Sequence, residues 1–176
     1  MKKSIGIYER MYPSPTVIIS CSDGVRDNII TLAWVGTVCS EPPLISISIR
    51  PSRYSHELIS ISKEFVINIP DEEMIEECIF CGIHSGRGID KFEKSGLTRE
   101  KAFIVKAPLI KECPINIECK VRNIITLGTH DMFIGEVVSV DADDEVVYSD
   151  GDIDYEKVSM VTVLMNNYFR NVLIKK

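Results

Sequence analysis

The chain has 176 residues, a net charge of −6 and a pI near 5.1, with 45% hydrophobic and 26% charged residues. An acidic chain of this kind lacks the basic surface that nucleic acid or an anionic lipid surface requires, so neither is expected as a partner. Its 26 isoleucines and 16 valines are too much apolar material for a disordered chain, and they bias the core toward strands.

The opening stretch, MKKSIGIYERMYPSP, carries two lysines, but Tyr8, Glu9 and Arg10 interrupt any apolar core behind them. No secretory signal is read there, and the expected compartment is the cytoplasm. No later run approaches the ~20 apolar residues of a membrane span. Thr16 to Cys21 (TVIISC) is a short apolar run closed by the turn-rich Ser22-Asp23-Gly24, and it reads as a strand. Asn28 to Trp34 reads as another. Leu44 to Ile49 (LISISI) alternates apolar residues with serine after the stiff Pro42-Pro43. A helix is expected from Arg53 to Ser62. Phe65 to Ile69 (FVINI) is again a strand and stops at Pro70. Asp71 to Cys81 opens with Asp71, Glu72 and Glu73, and carboxylates in a first turn suit the positive end of a helix dipole. Asp90 to Lys94 predicts a short turn of helix before Gly96. In Ile115 to Val121, Ile115, Ile117, Cys119 and Val121 fall on one face, with Asn116, Glu118, Lys120 and Arg122 on the other. Met132 to Val140 and Met160 to Leu164 complete the strands. The tract Asp141 to Glu156, with eight carboxylates, reads as an exposed edge hairpin.

Strands in runs, with a few helices inserted between them, predict a mainly β fold. The expected form is an antiparallel barrel with helical insertions, one domain over residues 1–176. With no export signal, the six cysteines read as thiols. Cys78-Ile-Phe-Cys81 has the spacing of a redox pair or half a metal site. A tetrahedral site needs two more ligands, and no second CxxC or close CxxH supplies them, so no metal is expected. The plainer alternative is two small apolar residues on a helix. There is no GxGxxG after a strand, no GxxxxGK[ST], no HExxH and no GxSxG, and His56, His84 and His130 are scattered.

Four segments carry candidate binding chemistry, each with a plainer alternative. Asn28 to Trp34 holds the only tryptophan. Polar Asn28 and Thr31 beside small Ala33 can present backbone to a flat ligand, or this is an ordinary strand with Trp34 in the core. From Ser46 to Ser55, two serines on a strand run into Arg50 and Arg53 and then a helix. Hydroxyls, guanidinium groups and helix N-terminal N–H groups suit a phosphate. Alternatively, Ser52 or Ser55 simply caps the helix. From Cys81 to Phe92, Gly82, Gly86 and Gly88 make a loop that can fold closely over a ligand, with Lys91 as a point charge, or a bare surface loop. From Gly128 to Val137, His130 stands at a connection before a strand, either reaching a ligand or solvated.

In this order the segments resemble the flavin reductase-like family, the flavin-binding split barrels that include flavoredoxins and flavin-dependent ferric reductases. The matching pieces are Pro13-x-Pro15, Asn28-x-x-Thr31-x-x-Trp34, Glu41-Pro42-Pro43 with Ser46 to Ser55, and Phe65-Val66-Ile67-Asn68. Ser85-Gly86-Arg87 to Asp90-Lys91-Phe92 and His130-x-x-Phe133-Ile134-Gly135-Glu136-Val137 complete them, over roughly residues 10 to 170. The resemblance implies a Greek-key split β-barrel that forms a homodimer and binds FMN at or near the subunit interface. It further implies that Asn28, Thr31, Ala33 and Trp34 line the isoalloxazine side. Arg53 and Ser55, helped by Ser48 and Arg50, would hold the phosphate. Lys91, His130 and Tyr168 would meet the flavin from the glycine loop, the next connection and the C-terminal segment. The implied activity takes hydride from NADH or NADPH and passes electrons to a flavin, ferric iron or a protein acceptor. The alternative is a flavoredoxin-type carrier reduced by an electron-transfer protein partner. Ser55 stands where the family usually has threonine, and the end at Lys176 implies no long C-terminal lid.

Overall fold

A computed structural model describes residues 1–7, 11–164 and 167–170; Tyr8, Glu9 and Arg10 lie outside the described residues. Short β1 (Ser14–Pro15) leads into β2 (Val17–Ser22), β3 (Asp27–Leu32), β4 (Val35–Cys39) and β5 (Leu44–Ile49). Helix α1 (Tyr54–Ser62), β6 (Glu64–Ile69), α2 (Ile75–Ile83) and α3 (Lys91–Ser95) follow. The remainder comprises β7 (Arg99–Glu100), β8 (Leu109–Ile110), β9 (Ile115–Thr126), β10 (Asp131–Ala142), β11 (Val161–Leu164) and β12 (Asn167–Arg170).

Among the described residues, a seven-stranded antiparallel sheet runs in the order β3-β2-β6-β9-β10-β5-β4. Its two edge strands, β3 and β4, are joined by two residues, Ala33 and Trp34. Neighbouring strands lie about 4.8 Å apart, so flat edges would stand roughly 29 Å from each other. Two linking residues span only about 11 Å. The sheet therefore curls on itself into a barrel, with the Ala33–Trp34 corner crossing its seam. This corner is also why the strand expected from Asn28 to Trp34 stops at Leu32, and why β4 beyond it had no separate signal.

The apolar run in β2 has buried residues throughout because both of its faces are covered. Val17, Ile19 and Cys21 enter the barrel core with Leu58, Phe65 and Phe133. Ile18 instead joins Ile29 in a second cluster under α2 and α3, with Met74, Cys78, Cys81 and Phe92. The outer face of β9 is covered too. Glu118 is fully buried, and its carboxylate accepts the backbone N–H groups of Phe103, Ile104 and Val105 at 2.7–2.8 Å. Asn68 and Asn116 share a 2.8 Å bond, and Asn68 also accepts the N–H of Ile110. These polar groups fasten the stretch between α3 and β9 onto the barrel.

Helix ends follow the expected chemistry with small shifts. Asp71 caps a 3-10 turn that precedes α2, and the helix continues to Ile83 instead of stopping at Cys81. Asp90 caps α3, which Gly96 ends at φ +76°. Arg53, expected inside the first helix, stands at its N-cap.

Candidate functional site

The corner that closes the barrel also builds a concave surface. The Trp34 carbonyl accepts the N–H of Ser48 at 3.0 Å, so the edge of β5 lies beside the corner. Trp34 is 48% exposed, which removes the alternative of a core tryptophan. Its ring lies 4.2 Å from that of His130, tilted by 33°. His130 reaches it because Asp131 pairs with Ile49 across β10 and β5, which sets the connection before β10 beside Arg50. Gly128, at φ +93°, makes that connection tight. Arg50 Nε donates to His130 Nε2 at 3.3 Å. Burial, and then the Arg50 charge, lower the His130 pKa, so the ring is neutral with Nε2 as an acceptor.

Two cavities share the wall Thr31, Leu32, Ala33 and Trp34, with Gly82 of α2 facing it. The smaller, about 210 Å³, adds Ser48, Arg50, Arg53 and His130. Among the described residues that line it, the charged side chains are the arginines and none is a carboxylate. The larger, about 690 Å³, is a cleft walled by the N-terminal segment from Met11 to Thr16, by Ile79 and Ile83 of α2, and by Val163 and Tyr168. Among the described residues, no charged side chain lines it. Burial, and then the Cys78 thiol, raise the Tyr168 pKa. Thr31 fixes the shared wall to α2 through its hydroxyl, which donates to the Cys78 carbonyl at 2.6 Å.

The sequence-predicted residues divide accordingly. Thr31, Ala33, Trp34, Ser48, Arg50, Arg53 and His130 meet around the small cavity, and Tyr168 lines the large one. Asn28, Ser55 and Lys91 line neither and are buried behind the wall. Asn28 Nδ2 donates to Ser55 Oγ at 2.7 Å, and Asn28 packs against Gly86. Ser55 therefore does not cap α1, whose first turn has no side-chain cap. Lys91 Nζ donates to the carbonyls of Cys81 (2.6 Å) and His84 (3.0 Å), at the C-terminal end of α2. Burial lowers its pKa to about 8; the Cys81 and Cys21 thiols oppose this and the Arg53 charge adds to it. The glycine loop thus grips the protein's own asparagine and helix end. Sequence reasoning missed Ile79 and Ile83 of α2, because isoleucines on a helix read as core; Gly82, expected in the glycine loop, lies in the helix instead. It also missed the cleft wall from Met11 to Thr16, for which Pro13-x-Pro15 was the signal.

Cys78 and Cys81 sit in the apolar cluster under α2 as packing residues. Burial pushes their thiols up to about 12 and about 11. Among the described residues, no group of three or more His, Cys, Asp or Glu side chains could hold a metal ion. Nor is any described helix long and apolar enough to cross a membrane.

A basic pocket joined to an uncharged cleft suits a ligand with a flat ring at one end and an anion at the other. Residues 8–157 match the family described as the flavin reductase like domain. The chain belongs to the flavin reductase-like family. An uncharacterized protein of Archaeoglobus fulgidus is 35% identical to this family member over 154 residues, 88% of this chain and 86% of that protein. The reductase component of a FADH(2)-dependent resorcinol hydroxylase from Rhizobium sp. is 29% identical over 135 residues, 75% of this chain and 73% of that protein. Flavoredoxin of Desulfovibrio vulgaris (Miyazaki F) superposes with a TM-score of 0.93 at 34% identity, over 100% of this chain and 96% of that one. The architecture of this flavin reductase-like protein, 42% strand and 18% helix, matches the fold of that flavoredoxin; the strand pattern predicted a mainly β barrel, and the family resemblance implied the split-barrel form. Membership carries a general flavin-related redox function.

Proposed function

We propose that this single-domain chain binds FMN along the Thr31–Trp34 wall and acts as an FMN-dependent oxidoreductase. One observation carries the reading: a basic pocket and an uncharged cleft share that wall, and FMN pairs a phosphate with a flat, uncharged ring. The residues present fit the group. Arg50 and Arg53 offer charge-assisted bonds to a phosphate, Ser48 offers a hydroxyl, and the uncapped first turn of α1 adds backbone N–H groups. Trp34 offers a half-exposed aromatic face for stacking. His130, held between Arg50 and Thr129, adds a second flat ring beside Trp34 without adding charge. Asn28, Ser55 and Lys91 hold the wall from behind. When bound, FMN supplies the redox chemistry, with NADH or NADPH as hydride donor and a flavin, ferric iron or a protein as acceptor.

A second reading is an electron carrier with bound FMN that a protein partner reduces. The 34% identity to a flavoredoxin over the full chain favours it. In either reading we propose a homodimer, since the seam between β3 and β4 and the exposed Trp34, Ile79 and Ile83 leave an apolar edge that a second copy would cover.

The visible spectrum of the protein as purified, before and after anaerobic NADH and NADPH, tests the pair of readings. Flavin bands that bleach with a nicotinamide support the reductase. Bands that bleach only with dithionite support the carrier. A colourless protein that takes up no FMN sinks both. Arg53→Ala should weaken FMN tenfold to a hundredfold in fluorescence titration, the loss of roughly 1.5–3 kcal/mol from one charged hydrogen bond. Unchanged affinity would remove the phosphate assignment. Sedimentation equilibrium tests the dimer.

A further inference from the structure

Three groups that line the basic pocket stand on three pieces of chain: Arg50 just past β5, Arg53 at the start of α1 and His130 just before β10. The sheet and a turn join them in pairs. Asp131 pairs with Ile49, so His130 and Arg50 leave the sheet side by side. The Arg53 N–H donates to the Arg50 carbonyl at 2.9 Å. One side-chain bond closes the ring between the first piece and the last. His56, three residues past Arg53, places Nε2 2.8 Å from Oδ2 of Asp131, the residue after His130. A carboxylate only accepts, so His56 Nε2 donates. Both side chains are nearly covered, at 15% and 13% exposed. Among the described residues, Asp131 Oδ1 is buried with no hydrogen-bond partner, so the carboxylate is held through His56. Fully buried Phe133 meets the imidazole edge-on at 5.1 Å. Ser60 Oγ lies 3.5 Å from its Nδ1, the outer limit of a hydrogen bond. Losing either partner would leave a covered polar group unpaired, which is costly. Neither side chain lines either cavity, so any effect on the pocket passes through the residues beside them.

We propose that His56 and Asp131 are positioning residues: their bond fixes α1 against the start of β10 and so holds Arg53 and His130 at the spacing that the pocket needs. Its consequence for FMN affinity rests on the FMN reading. Its consequence for the contact between His130 and Trp34 does not, because that contact belongs to the protein alone.

A double-mutant cycle with two readouts tests this. Asp131→Ala removes the acceptor, and His56→Phe removes the donor while keeping a ring against Phe133. Each should weaken FMN about fivefold to tenfold in fluorescence titration, and the double variant no more than either, because all three lose the same bond. Trp34 is the chain's only tryptophan, so its emission reads the His130 contact with no FMN added. The emission maximum should move to longer wavelength by the same amount in all three variants, as water replaces the imidazole. Asp131→Asn keeps an acceptor in place and should return both readouts to wild type. If Asp131→Ala does not fold, Asp131→Ser takes its place in the cycle. Wild-type emission or wild-type FMN affinity in either single variant would overturn the proposal. So would losses that multiply in the double variant, or an Asp131→Asn variant as weak as Asp131→Ala. A protein that takes up no FMN but shows the shared shift in Trp34 emission would overturn the flavin reading alone.

Discussion

Gly86 and Asn28 show how little room lies behind the candidate site. A Cβ on Gly86 would come within 1.9 Å of Asn28 Oδ1 and 2.7 Å of its Cγ. Asn28 is buried and bonded to Ser55, so it cannot swing away without breaking that bond. Gly86→Ala should cost about 1–3 kcal/mol in urea denaturation and weaken FMN severalfold. Gly88→Ala, whose added methyl meets nothing within 4 Å, is the control and should change little. The same contrast explains what was legible at single positions. Trp34, Arg50, Arg53 and His130 were readable because aromatic and basic residues beside turns have few structural uses there. Asn28, Ser55 and Lys91 looked identical in kind. The sequence does not say which side of a strand or loop a polar residue faces, and all three face inward.

At the level of elements, β9 depends on a single buried charge. Glu118 holds three consecutive backbone N–H groups, so the stretch that carries exposed Phe103 and Ile104 is pinned at one point. Glu118→Gln keeps the shape but removes the charge from those bonds. It should lower stability by about 1–3 kcal/mol, and amide exchange at residues 103–105 should rise first. If exchange there is unchanged, the carboxylate is not what holds the segment. The alternation along Ile115 to Val121 was plain in the sequence, but it could not say that the polar face would be covered, because the covering chain is irregular and carries no period. β4 was missed for a related reason. Gly36 and the exposed Thr37 and Val38 break the pattern that a half-buried strand would show. By contrast, β2 was legible because a run covered on both faces needs no alternation.

For the whole molecule, the thiols govern behaviour in alkali. Cys21, Cys78 and Cys119 are pushed up to about 12 by burial, Cys81 to about 11, and Cys113 well above the ordinary range. In the unfolded chain each titrates near 8.5. Above that pH the unfolded chain holds fewer protons than the fold, so the stability these thiols contribute is lost as pH rises. Lys91 acts the other way. At about 8 in the fold and about 10.4 when unfolded, it adds stability across that interval. Five thiols outweigh one lysine, so the guanidinium midpoint should fall steadily from about pH 9 upward. A flat midpoint to pH 10.5 would mean that the thiols are not protected. In the native protein at pH 8, a thiol reagent should modify Cys39 rapidly and the other five only after unfolding.

The corner at Ala33 and Trp34 does two jobs with the same atoms: it shuts the barrel and it walls both cavities. A lineage that abandoned the flavin would keep the hollow, because a chain that filled it by reshaping the corner would no longer close. Loss of cofactor by drift would therefore leave behind an intact binding shape, open to recruitment by another flat molecule.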